Sequence, residues 1–216
     1  MSEPRRYVGP DAVVSYDAAR CTHAQECVRA LPAVFDPERR PWAEPSAASA
    51  ARLKAAVMRC PTGALHIELP DGTDPEPVPS RNMVTVMPDG PLHLRGELEI
   101  ETPEGIVHDT RAALCRCGAS RRKPFCDGSH AAVGFRHDGG FELGTPLAPP
   151  ATDCDGPLRV RPSRRGPLLF SGILEVRSAD LATWARIQHP AFCRCGHSSR
   201  KPFCDGTHHD VGFDRT

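Results

Sequence analysis

The chain is poor in several things, and each shortage excludes something. Only 6% of its 216 residues are aromatic, thin material for one large hydrophobic core. Domains short of core usually need disulfides or metals as staples. Cationic and anionic side chains balance, 27 against 27. Bulk electrostatics therefore recruits neither nucleic acid nor an anionic membrane surface. No apolar run approaches the roughly 20 residues that span a bilayer. The opening residues, Met1-Ser-Glu-Pro-Arg-Arg-Tyr7, have no apolar stretch behind their arginines, so no secretory signal is expected. Lysine occurs only as Lys54, Lys123 and Lys201, a bias to which no function is assigned. No nucleophile–base set, nucleotide-binding glycine loop or paired catalytic carboxylate stands out, so catalysis by side chains is not expected. A soluble cytoplasmic protein is.

Cysteine, by contrast, is plentiful: there are ten. In a reducing cytosol, clustered cysteines are more often metal ligands than disulfides. Six of the ten, together with His130 and His208, belong to an internal repeat in the C-terminal two-thirds. Cys115-Arg-Cys-Gly-Ala-Ser-Arg-Arg-Lys-Pro-Phe-Cys-Asp-Gly-Ser-His130 returns as Cys193-Arg-Cys-Gly-His-Ser-Ser-Arg-Lys-Pro-Phe-Cys-Asp-Gly-Thr-His208, at an offset of 193 − 115 = 78. The similarity extends upstream, where residues 90–100 resemble 166–176 at an offset of 76. The repeat unit is thus a whole module.

Val84-Thr-Val86, Leu92-His-Leu94 and Leu98-Glu-Ile100 alternate apolar and polar residues, as do Leu158-Arg-Val160 and Leu174-Glu-Val176. That period predicts strands. A short helix is expected to open at Asp127 and Asp205, with the aspartate as N-cap. Residues 71–82 form a Pro-rich linker that favours a stiff extended spacer, and a second linker covers 145–156. The expected plan is a module over 1–70, then a repeat over 83–144 and another over 157–216.

Cys115 and Cys117 share a face of an extended segment. Cys126 and His130, four apart, share a face of a helical turn. Two facing donor pairs suit a binuclear centre. A structural zinc ion also takes three cysteines and one histidine, and spacing alone leaves the two metals open. Gly118, Gly128 and Pro124 let the backbone wrap closely. Arg116, Arg121, Arg122 and Lys123 can offset the charge of thiolates.

The segments Cys126-Asp-Gly-Ser-His130 and Cys204-Asp-Gly-Thr-His208, each behind Cys-x-Cys and Pro-Phe, resemble the CDGSH iron–sulfur (mitoNEET-like) family. The likeness runs from near Met83 to the end. It implies a 2Fe–2S cluster in each copy, with one iron on Cys115 and Cys117 and the other on Cys126 and His130. The second cluster would use Cys193, Cys195, Cys204 and His208. It also implies a monomer with an internal pseudo-two-fold, the two β-rich modules forming an intramolecular pseudo-dimer. His197, His209 and His137 have no equivalent ligand position, and no role is read for His93 or His108.

Near the N-terminus, Cys21-Thr-His-Ala-Gln-Glu-Cys27 is followed by Cys60-Pro-Thr-Gly-Ala-Leu65. Bacterial ferredoxins use Cys-x2-Cys-x2-Cys with a remote Cys-Pro; here Ala24 stands at the middle cysteine. The stretch from Val13 to Glu68 resembles a divergent single-cluster ferredoxin domain. Three thiolates, Cys21, Cys27 and Cys60, suit a 3Fe–4S cluster. A 4Fe–4S cluster would draw a fourth bond from His23 or another group. Residues 46–59 read as a packing helix with Ala50, Leu53 and Val57 on one face. Residues 12–16 and 64–69 read as paired strands. Cys154 reads as a bystander thiol. The fold class is α+β: a small ferredoxin-like α/β module before two β-rich CDGSH modules.

An imidazole in place of a thiolate raises a cluster's potential and titrates near neutral pH. The expected function is proton-coupled one-electron transfer with a redox protein. Cluster storage and donation to an apo-iron–sulfur protein is the alternative, and a structural zinc scaffold the third.

Overall fold

The structure is a computed structural model that describes residues 3–73, 76–142 and 156–213. Cys154 and most of the second linker lie outside the described residues. The chain divides into two compact units, Met1–Pro77 and Val78–Thr216, and both repeats fall in the second. The fold is mostly β, with few and short helices.

In the first unit, strands β1 (Arg5–Val8), β2 (Val13–Tyr16) and β3 (Leu65–Glu68) form an antiparallel sheet in that order. The predicted pairing of the second and third is present, with Val14 opposite Ile67 and Tyr16 opposite Leu65. Strand β1 carries arginines where apolar residues would announce a strand, which is why its sequence hides it. Helix α1 spans Glu26–Ala30 and helix α2 spans Ala50–Val57. The α2 face that packs is Leu53, Ala56 and Val57, all buried against Val14, Phe35, Leu65 and Ile67. The linker departs from a free spacer at Glu76. Its buried carboxylate accepts the Ile67 N–H at 2.8 Å and lies 3.1 Å from His66 Nδ1. A carboxylate that caps an edge strand this way offsets its own burial.

The second unit holds β4 (Met83–Val86), β5 (Leu92–Thr102), β6 (Gly105–Leu114), β7 (Leu158–Pro162), β8 (Leu168–Ser171), β9 (Ile173–Ser178), β10 (Trp184–Gln188) and β11 (Ala191–Phe192). One sheet runs β10-β9-β4-β5-β7-β8-β11, with β6 also paired to β5. The first strand of each repeat pairs antiparallel within its own repeat and parallel with the other. Val84 stands opposite Val176, and Val160 opposite Ile100. Both pairs obey the 76-residue offset, so the exchange is reciprocal.

The alternating residues Val84, Val86, Leu92, Leu94, Leu98 and Ile100 are all at most 1% exposed, and with Leu158, Val160, Leu174 and Val176 they form the core. Each such side chain contributes about 1.5–3 kcal/mol by leaving water. Strand β5 changes neighbours at Gly96, where its register with β6 also shifts. A Cβ at Gly96 would lie 2.1 Å from Asn82 Oδ1. That oxygen accepts the Glu97 N–H, and Asn82 Nδ2 donates to Gly156 O. The equivalent glycine, Gly172, separates β8 from β9.

The expected helices differ from the prediction. Helix α3 covers Ser129–Ala132, its N-cap is Gly128, and no side chain caps it. The second copy forms turns there instead. The aspartates are already committed elsewhere. Asp127 accepts from the Ser129 amide and hydroxyl and from the Arg121 N–H, tying the two ends of the loop together. Asp205 does the same with Thr207 and Ser199. The Thr207 hydroxyl and amide hold its carboxyl well below the usual range.

Candidate metal centres

Strand β6 ends at Leu114 and delivers Cys115. The loop that follows leaves the sheet and returns to the same place. Leu114 bridges Phe125, Cys115 N–H donates to Pro124 O at 2.9 Å, and Cys126 N–H donates to Ala113 O at 2.8 Å. Inside it, the Ser120 hydroxyl donates to Phe125 O at 2.6 Å and accepts the Arg122 N–H. The second copy repeats every one of these bonds: Phe192 to Phe203, Cys193 to Pro202, Cys204 to Ala191, and Ser198 to Phe203 and Arg200.

The donors come together in pairs. Cys115 Sγ and Cys117 Sγ are 3.7 Å apart, and Cys126 Sγ and His130 Nδ1 are 3.4 Å apart. The second copy gives 3.6 Å for Cys193 and Cys195 and 3.4 Å for Cys204 and His208. Among the described residues, no group of three or more His, Cys, Asp or Glu side chains is placed to hold a metal ion. Gly128 N–H donates to Cys126 Sγ, so a backbone amide already faces sulfur. Burial pushes the Cys126 and Cys195 thiols up to about 11. Cys117 is drawn down to about 7 by its hydrogen bond with Cys115, which is raised in turn. Buried thiols that resist losing a proton to water give it up to a metal. Burial, followed by the charge of Arg116, lowers His130; burial, followed by His209, lowers His208. Both imidazoles are therefore held in the neutral, ligating form.

The two sites meet along a seam. A Cβ at Gly118 would lie 2.9 Å from Cys195 O, and one at Gly196 would lie 2.9 Å from Cys117 O. Only glycine permits that approach, and both adopt left-handed φ, +80° and +85°. Cys117 and Cys195 line one cavity of 490 Å³ with Phe135 and Phe213.

Other histidines fall outside the donor pairs. The His209 ring lies tilted against His208, with centroids 4.1 Å apart. His137 Nδ1 accepts from Arg116 and from the Gly139 N–H. Burial, followed by the charge of Arg95, lowers His93 to about 4. Arg116, expected to offset thiolate charge, is buried and held by the carbonyls of Gly90 and Met87. The signal for this was the arginine between two cysteines in both copies.

In the first unit, Cys21, Cys27 and Cys60 line one cavity of 680 Å³ with Tyr16 and Trp42. His23 N–H donates to Cys21 Sγ at 3.4 Å, and Cys60 Sγ lies 3.5 Å from the Thr62 hydroxyl. His23 and Gln25 take φ of 56° and 58°. Alternation into the left-handed region turns successive amides inward, a nest for an anion. Burial, then Cys60, pushes Cys27 up to about 11. Burial and a hydrogen bond to Cys21 raise Tyr16, a partner the spacing did not announce. The His23 side chain is exposed at the rim.

Two loops thus pair thiol with thiol and thiol with imidazole, and the first unit gathers three thiols around one cavity. The family described as "Iron-binding zinc finger CDGSH type" matches twice, at residues 89–131 and 165–209, and "Divergent 4Fe-4S mono-cluster" matches 7–69. The chain belongs to the CDGSH iron-binding family and carries a divergent 4Fe–4S mono-cluster domain ahead of its two CDGSH segments. Its N-terminal region is similar to "Uncharacterized protein YjdI" of Escherichia coli strain K12, and equally to that of strain O157:H7. Each is 34% identical over 61 residues, 28% of this chain and 80% of the relative. No solved structure matches the chain.

Proposed function

We propose that the chain is a proton-coupled one-electron carrier with two 2Fe–2S clusters and one 3Fe–4S or 4Fe–4S cluster. The observation that carries this is the pairing of donors, thiol with thiol and thiol with imidazole, made twice with the same bonds. One pair per iron suits a binuclear centre. The reciprocal strand exchange supports an intramolecular pseudo-dimer, and the three-thiol nest supports a ferredoxin-like role for the first unit. When bound, the clusters supply reversible one-electron chemistry. The chain's residues do the rest: cysteines replace thiol protons by iron, a loop amide faces sulfur, and His130 and His208 would offer Nδ1 to metal and hold or release a proton at Nε2.

The test is composition. Protein purified without oxygen should contain iron and acid-labile sulfide and show paramagnetic signals on reduction. Zinc without sulfide overturns the reading.

A second prediction concerns acid. The lowered histidines stay neutral as pH falls until their depressed pKa values are reached, below the ordinary value of about 6.5. Past that window protons displace iron, because the metal-free state binds more of them. Cys204 is partly exposed whereas Cys126 is buried. The second site should lose its cluster first, seen as two-step bleaching that Cys204→Ala reduces to one.

Transfer of clusters to an apo-protein is the alternative. Transfer to apo-ferredoxin, with loss of cluster from the donor, favours it.

A further inference from the structure

The turn that joins β7 to β8 lies against the second site. Its glycine, Gly166, comes so close that a Cβ there would stand 3.3 Å from His208 Nε2. Gly166 N–H donates to Ser163 O at 3.1 Å and Ser163 N–H to Pro167 O at 2.9 Å, which closes the turn. The residues between, Arg164 and Arg165, are both exposed, and neither side chain has a hydrogen bond or ion pair among the described residues.

The first repeat builds the same turn with different chemistry. Gly90 N–H donates to Met87 O and Met87 N–H to Pro91 O, the same two bonds at the 76-residue offset. The residue before the glycine is left-handed in both, with φ 46° at Asp89 and 59° at Arg165. The backbones match while the charge is reversed: Pro88-Asp89 in one copy, Arg164-Arg165 in the other. Aspartate tolerates the left-handed region better than arginine does, so the turn's own geometry does not select Arg165. Asp89 is also occupied. Its carboxylate accepts the His137 N–H at 2.7 Å and lies 3.6 Å from Arg136.

The second site is the more open of the two, since Cys204 is partly exposed where Cys126 is buried. Arg200, on the ligand loop itself, is exposed and likewise has no side-chain partner among the described residues. Two carboxylates share that loop and its end. Asp205 is engaged by Thr207 and Ser199, and Asp210 is exposed. Arg164, Arg165 and Arg200 outnumber the single unengaged carboxylate.

We propose that the Arg164-Arg165 turn is the docking point for an acidic one-electron carrier protein, which exchanges electrons with the second cluster at its His208 end. The inference rests on the electron-carrier reading above. A carrier that rings its own redox centre with carboxylates meets unpaired guanidiniums beside the ligand. Guanidinium–carboxylate pairs fix orientation as well as proximity, and opposite charge speeds the encounter. The reduced carrier gives up one electron, one ferric ion of the second cluster becomes ferrous, and no bond forms or breaks.

The test uses the full chain, purified without oxygen, with an acidic plant-type 2Fe–2S ferredoxin as the probe. Iron, sulfide and reduction by dithionite are recorded first. A chain without clusters, or with clusters that dithionite cannot reduce, defeats the electron-carrier reading itself. Reduced ferredoxin, whose potential lies below that of histidine-ligated 2Fe–2S centres, is then mixed with the oxidised chain in a stopped-flow instrument. The second-order rate constant should fall about tenfold or more from low to high salt. Arg164→Glu with Arg165→Glu should lower it about tenfold or more at low salt, with cluster content and dithionite reduction unchanged. Arg52→Glu with Arg121→Glu makes the same change of net charge at two other exposed positions and should alter the rate less than about threefold. A rate that the turn variant leaves unchanged overturns the proposal, as does an equal loss in the control. Should the glutamates shed the second cluster, Arg164→Gln with Arg165→Gln replaces them, and an unchanged rate there also overturns it. Adhesion to phosphatidylglycerol vesicles that the turn variant loses, while the ferredoxin rate is kept, overturns it in favour of a lipid surface.

Discussion

Exchanging His130 and His208 together for cysteine should lower the midpoint potentials of both proposed 2Fe–2S centres, by on the order of 100 mV or more each. The cause is charge: a thiolate adds a negative unit where a neutral imidazole stood, and a more negative cluster resists an electron. The same change flattens the pH profile. With imidazole present, a reduced centre holds the ring proton more tightly, so the potential falls as pH rises, by up to about 59 mV per unit for one proton per electron. Cysteine leaves no group to titrate there. Redox titrations at several pH values check both parts, and unchanged curves in the double variant would exclude these histidines as ligands.

Gly118→Val should empty both CDGSH sites, though it lies in only one. The residue sits at φ +80°, where a side chain costs about 1–2 kcal/mol. Its Cβ would meet Cys195 O at 2.9 Å and Arg194 O at 3.3 Å. Those atoms are backbone of the other loop and cannot rotate away, so the clash moves the second pair of thiols as well as the first. Iron should fall to the amount held by the first unit. Gly128→Ala is the control. It has φ +87° but nothing within 4 Å, so it bears the conformational cost alone and should retain its clusters.

Much of this was legible in the sequence. Alternation marked Val84–Val86, Leu92–Leu94 and Leu158–Val160 as strands with the right buried face, because period two is local. The nearness of Cys115 to Cys117 and of Cys126 to His130 was legible too, since residues two apart in extended chain and four apart in a turn share a face whatever the fold. Partners across the sheet were not. Nothing in the residues of β4 says that it lies parallel to β9, since that choice is made by long-range packing. Asp127 and Asp205 looked like helix caps because the same carboxylate chemistry that caps a helix also closes a loop, and the Ser120 bracket decided which. The burial of Arg116 was not legible for a similar reason: its partners include a carbonyl 26 residues away, and no pattern of types announces a carbonyl. Glu76 was hidden in a linker by its proline neighbours.

The reciprocal exchange of β4 and β7 bears on how such a chain could have arisen and how it can be cut. Neither half owns a complete sheet. A polypeptide severed between the repeats would expose an unpaired edge on each fragment, and each edge is shaped for the opening strand of its twin. Fragments made separately would be driven to reunite, and a solitary half would seek another copy of itself. Duplication and fusion would convert that meeting of two molecules into a fold of one.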